Sequence, residues 1–309
     1  MSISLYEDTL MTNIEQDTID KLFRDLSRVY STSATSMLGL ESFQAAIEEL
    51  VVNDKDLPLE ITKLSDSIQN TQPRMFPLDN LMIMLDKEVK ALSNKNQLTR
   101  ESAVKLLDTF KKRLKTDVDS LIDQGVKWIE NNDFIVIHSI EENIEHLIPE
   151  AKKRGVNFKI LVLKQDIVTT GEILKILTEH QIEFEVIPEY DLVHYLDKIT
   201  KLFIGTQALT NDNYIICDPG TSNIVSECHI HEIPIYLFLK TLKFSHYPVA
   251  DQNIRKNSYQ DEHDGIEYNY SIHSNDIINL KLISHIITEQ GGLPMDQISS
   301  VRKQILFDN

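Results

Sequence analysis

Between Phe134 and Leu239 short apolar runs alternate with stretches of helical periodicity. The runs are Phe134 to Ile137, Phe158 to Leu163, Glu183 to Ile187, Lys201 to Ile204 and Ile235 to Leu239; the helical stretches are Asn143 to Arg154, Thr170 to His180, Tyr190 to Leu196 and Ser222 to His229. Strands that short and that continuously apolar are covered on both faces, and a helix between successive strands returns each one parallel to the last. The segment therefore predicts a Rossmann-like, doubly wound parallel sheet. Ligands of such sheets collect at the carboxyl ends of the strands. That edge here carries His138 and Ser139 after the first run, the Gly205-Thr206-Gln207 turn after the fourth, and the Gly220-Thr221 turn before the last helical stretch. Such glycine turns either present backbone N–H groups to an anion or simply reverse the chain tightly. The first run is followed by HSIEENIE, without GxGxxG, so ordinary dinucleotide binding is not expected.

The chain ahead of the sheet has a different texture. Apolar residues recur at three and four, predicting helices over Gln16 to Val29, Leu40 to Val52, Leu57 to Ile68, Pro77 to Leu92 and Arg100 to Glu130. The breaks SRVYSTSATS, VNDKDLP, NTQPR and SNKNQ hold the turn-forming residues. The last helix carries Val104, Leu107, Phe110, Leu114, Val118 and Leu121 on one face and connects the two halves. The expected organisation is an all-α N-terminal domain, residues 1–128, followed by the α/β domain, residues 129–309. Downstream of the sheet, the polar stretch Phe244 to Ser274 reads as a surface loop without periodicity. Ser274 or Asn275 would then cap a helix over Asp276 to Ile287, and TEQGGLPMDQI leads into a last short helix.

Charge narrows the partners. The 31 Lys and Arg against 48 Asp and Glu leave a net charge of −17, which repels nucleic acid and anionic membranes. The two cysteines, Cys217 and Cys228, lie eleven residues apart and form neither a disulfide framework nor a common zinc signature. The CHIH cluster of Cys228, His229 and His231 ends a helix with no second ligand pair near it in sequence, so no metal site is expected there. With no signal-like start and no run of eighteen apolar residues, a cytoplasmic location is the expectation.

The block KLFIGTQALTNDNYIICDPGTSNIVSECHIHEIPIYLFLKTLKFSHYP resembles one shared by two groups. These are the alpha, beta and delta regulatory subunits of initiation factor 2B and the methylthioribose-1-phosphate and ribose-1,5-bisphosphate isomerases. TQPRMFPLDNLMIML, FIVIHSIEENI, VLKQDIVTTGEILKIL and IITEQGGLPMDQI are similar to further blocks in the same order, so the resemblance runs from Ser36 to Ile305. It implies a helical N-terminal domain before a Rossmann-like one, pairing through the latter as a homodimer or with related subunits, and no cofactor. Lys243 and Phe244 match a family position near the subunit interface.

The same resemblance bears on activity. Aldose-to-ketose isomerisation needs an acid and a base at adjacent carbons and a cradle for phosphate. The isomerases supply a Cys and an Asp where this chain has Ser139 and Gln207, neither of which titrates near neutrality. Asp166 stands at an Arg position, Lys164 at a Glu position, and Cys217-Asp218-Pro219 where the family has Asn-Lys-Ile. The resemblance thus implies a non-catalytic regulatory subunit, a pseudo-isomerase with no catalytic residue. Its alternatives are a protein of this fold that senses a phosphorylated sugar or nucleotide, and a divergent phosphosugar isomerase. The candidate ligand-binding residues are His138, Ser139, Gly205, Gln207, Gly220, Thr221 and Lys243.

Overall fold

The computed structural model describes residues 18–23, 25–26, 31–53, 55–71, 74–164, 167–252, 254–263 and 265–307, with backbone only at 167–169 and 305–307. Of the helix expected over Gln16 to Val29, residues 18–23 and 25–26 are described and are helical; its other residues and Asp166 lie outside this set. Two compact units divide the chain, residues 1–116 with 303–309, and Asp117–Arg302.

The first unit is helical: α1 (Thr32–Glu49), α2 (Leu57–Gln69), α3 (Leu78–Asn94) and α4 (Arg100–Gly125), which runs on into the second unit. α1 begins eight residues before the expected Leu40. Ser31 caps it by accepting from the Ala34 N–H at 3.1 Å, and the Ser36 hydroxyl donates to the Thr32 carbonyl at 2.7 Å. Serines and threonines that read as a break are thus satisfied within the helix itself. α2 and α3 pack against each other, burying Leu57 and Ile61 of one and Leu78, Leu81, Met82, Leu85 and Val89 of the other. In the first turn of α3, Asp79 is buried with Arg74 3.6 Å away. Neither of its oxygens has a hydrogen-bond donor among the described residues. Burial pushes this carboxyl up to about 6, against the pull of Arg74.

The second unit is built on β1 (Phe134–His138), α5 (Glu142–Lys153), β2 (Lys159–Lys164), α6 (Ile167–Glu179), β3 (Glu183–Pro188), β4 (Lys201–Gly205), β5 (Ala208–Leu209), β6 (Tyr214–Cys217), α7 (Thr221–Ile230) and β7 (Ile235–Phe238). Then come β8 (Lys256–His263), β9 (Ile266–His273), β10 (Asp276–Asn279), β11 (His285–Thr288), β12 (Gly291–Gly292) and α8 (Ile298–Phe307), which ends in the first unit. The main sheet has seven strands in the order β12-β11-β7-β4-β1-β2-β3, parallel except for the β11–β12 pair. Its centre is Ile135, Ile137, Phe203 and Phe238, packed with Ile144, Leu147 and Ile148 of α5 and Ile173 and Leu177 of α6. The chain order reverses between β1 and β4, and in sheets of this kind ligands bind at that switch point, at the strands' carboxyl ends.

Three expectations are corrected here. Glu189–His194 is a 3-10 helix rather than a full α-helix over Tyr190 to Leu196. The supposed loop Phe244 to Ser274 contains the β8–β9 hairpin, whose second strand alternates Ile266, Tyr268, Tyr270 and Ile272 around a Gly265 turn. The expected helix Asp276 to Ile287 is two strands instead. β10 pairs antiparallel with β6, and β11 joins β7 in the main sheet. Its apolar residues fit either period over so short a run, and the available strand edges decided between them. β5, β6 and β10 form a small sheet of their own.

Candidate functional site

His138 closes β1 at the switch point and is fully buried. Its Nδ1 lies 3.0 Å from the Thr221 hydroxyl and its Nε2 2.9 Å from Glu189 Oε1. Thr221 gives its only proton to the Asp218 carbonyl at 2.6 Å, so the ring nitrogen carries the hydrogen in the His138–Thr221 contact. Glu189 stands at the other nitrogen, so both ring nitrogens are engaged within the chain itself.

Ser139 follows with φ 46°, and its hydroxyl accepts from the Asp218 N–H at 3.2 Å. The Ser139 carbonyl accepts from the Gly205 N–H at 3.1 Å. A Cβ at Gly205 would stand 2.8 Å from that carbonyl oxygen and 3.0 Å from Glu141 Cγ, so the close approach of the β1 and β4 ends requires glycine. Gln207 donates through Nε2 to Asp218 Oδ1 at 3.3 Å.

The Gly220-Thr221 turn leads into α7 with φ 93° at Gly220. A Cβ there would meet Glu189 Oε2 at 2.9 Å. Gly220→Ala is therefore expected to lower stability by about 1–3 kcal/mol. An unchanged urea midpoint would contradict this account of the turn. The amides at the start of α7 are the natural seat of an anion, but Asp276 of β10 occupies it. One of its oxygens takes both the Ser222 N–H at 2.8 Å and the Ser222 hydroxyl at 2.7 Å.

Lys243 is fully buried, and its ammonium contacts Glu141 Oε2 and donates to the Thr206 carbonyl at 2.9 Å. Burial pushes it down to about 7. Lys240, equally buried, is lowered by desolvation against the field of Glu142, Asp117 and Glu289. Cys217, with its thiol 3.4 Å from the Gly205 carbonyl, is pushed well above the ordinary thiol range by burial and by Asp218.

All seven residues singled out in the sequence thus lie along one edge, linked through Ser139, Asp218 and Glu141. Glu141, Glu189, Asp276, Lys240 and Glu289 belong to the same edge and were not among them. Glu141 stands inside the FIVIHSIEENI block, where its charge was the available signal, while Asp276 was hidden in the misread helix. Cys228 is buried and His229 and His231 are exposed. Among the described residues, no three His, Cys, Asp or Glu side chains gather as a metal site, and no helix is long and apolar enough to cross a membrane.

A helical region ahead of a mostly parallel sheet, with its polar groups collected at the switch point, defines a Rossmann-like α/β protein of a two-part design. The chain belongs to the initiation factor 2 subunit family, whose pattern matches residues 28–295. It is 27% identical to a protein of Pyrococcus furiosus described as eIF-2B subunit 2-like, over 88% of this chain and 94% of that one. A ribose 1,5-bisphosphate isomerase of Methanocaldococcus jannaschii is 20% identical over 83% of each chain. The fold is also that of a chain in the tetrameric eIF2B-beta2-delta2 complex of C. thermophilum, with TM-score 0.75 and 11% identity, covering 99% of this chain and 100% of that one.

Proposed function

We propose that this chain is a non-catalytic subunit of the initiation factor 2B type, acting in translation initiation through protein–protein contacts. Its α/β part, residues 129–309, pairs with a second copy or a related subunit. The observation that carries the reading is the state of the switch-point edge. The groups that would serve a ligand there are already held by the chain itself: His138 by Glu189, Lys243 by Glu141, and the start of α7 by Asp276. Ser139 and Gln207 supply no titrating group for proton transfer between adjacent carbons.

The test is purification of the tagged chain from its own cells, together with an assay on ribose 1,5-bisphosphate. Co-purification with other family subunits and no turnover is the expected result. Turnover that disappears in His138→Ala would reverse the reading in favour of the isomerase. The isomerase relative supports a second reading, a protein of this fold that senses a phosphorylated sugar or nucleotide. That reading requires a phosphosugar or nucleotide to raise the melting temperature, by about 2.7 kcal/mol in stability at a hundred times its dissociation constant.

A further inference from the structure

The β8–β9 hairpin is a two-stranded ribbon whose residues are exposed along its whole length, save for the half-buried Asn257. Isolated ribbons of this kind are marginal in water unless a third element covers one face. Directly paired residues share a face, and faces alternate along each strand. The register Asn257↔Ile272, Tyr259↔Tyr270, Asp261↔Tyr268 and His263↔Ile266 therefore puts Tyr259, Ile266, Tyr268, Tyr270 and Ile272 on one side. The other side carries Lys256, Ser258, Gln260, Glu262 and their polar partners. The five large side chains are 39–68% exposed. They are also ordered among themselves: Tyr259 and Tyr270 stack at 5.3 Å, Tyr268 lies 6.1 Å from Tyr270, and the Tyr268 hydroxyl donates to Asp261 Oδ2 at 3.2 Å.

We infer that this aromatic face is a docking surface for a basic, arginine-bearing polypeptide segment. Exposed tyrosines beside a carboxylate match the two things a guanidinium does, stacking on a ring and forking onto oxygens. Tyrosine is also among the side chains that anchor interfaces. Charge selects the partner. Asp261 stands on the aromatic face beside Tyr268, on a chain of −17. A second copy would bring the same sign to the same face, and nucleic acid or anionic lipid is repelled likewise. The inference extends the protein-contact reading to one named surface.

The test uses the full chain and two labelled synthetic peptides, one alternating Arg and Leu and the other alternating Glu and Leu, with binding read by fluorescence anisotropy. The Arg–Leu peptide is expected to bind and the Glu–Leu peptide not. The double variant Tyr259→Ser/Tyr270→Ser should weaken binding roughly tenfold or more. Glu262→Gln/Glu267→Gln, on the opposite face, should change it by no more than about twofold. Hydrogen exchange should show protection over 256–273 in the complex and an unchanged sheet core in both variants. Absence of binding overturns the inference, as does equal binding by the tyrosine variant, which would mean net charge alone. So does a wild-type dimer in sedimentation equilibrium that the tyrosine variant dissolves, since the occupant is then a second copy. Co-purification of family subunits is scored separately on the same variants, so failure of the ribbon leaves the assembly reading to stand or fall on its own result.

Discussion

Glu141→Gln is expected to destabilise the sheet unit by about 3–5 kcal/mol, the usual consequence of removing one partner from a buried ion pair. Lys243 is wholly inside, and besides Glu141 its ammonium donates to the neutral Thr206 carbonyl. The effect carries a pH signature. Lys243 is lowered to about 7 from an ordinary 10.5, so between those values the unfolded chain binds more protons than the folded one. Stability from this group then rises with pH across that window, and the penalty of burying the charge is complete below it. In Glu141→Gln the loss should be greater at pH 6 than at pH 9, where the lysine folds uncharged in both proteins. Lys243→Met in the Glu141→Gln background should recover most of it, because no charge is then buried without a partner. Urea denaturation of the single and double variants at the two pH values measures this. A Glu141→Gln protein as stable as wild type at pH 6 would show that the pair does not hold the edge.

In the helical unit the expected sign is opposite. Asp79 is raised from 3.8 to about 6, so over that interval the folded state binds the extra proton and stability falls as pH rises through it. A shift of about 2 units at 1.36 kcal/mol each is worth about 3 kcal/mol, fully expressed by pH 7. Asp79→Asn should therefore match wild type near pH 4 and exceed it by up to about 3 kcal/mol at pH 7. Parallel pH profiles for the two proteins would refute the assignment.

The legibility of this molecule in its sequence follows the range of the forces involved. Five of the parallel strands were readable because short β-rich runs separated by helical stretches have few other uses, and the observed strands lie within one or two residues of those runs. The hairpin went unread although Ile266, Tyr268, Tyr270 and Ile272 alternate at period two. Its other strand, Lys256 to His263, has only Tyr259 to mark a face. The 276–287 segment failed for a different reason, since the free edges of β6 and β7 turned an ambiguous apolar pattern into strands.

At the switch point the division is sharper. Which groups stand at the strand ends follows from the sequence alone, because the sheet's direction and the turn glycines are encoded within a few residues of each. Ser139 and Gln207, neither of which titrates near neutrality, are among them. What those groups do follows from contacts across the fold. Glu189 reaches His138 across 51 positions, Asp276 reaches Ser222 across 54 and Glu141 reaches Lys243 across 102. Local periodicity carries no trace of such pairings. They exist because burying a cation or a helix's first amides is costly unless an acceptor arrives, and the folded chain supplies each from a distant segment.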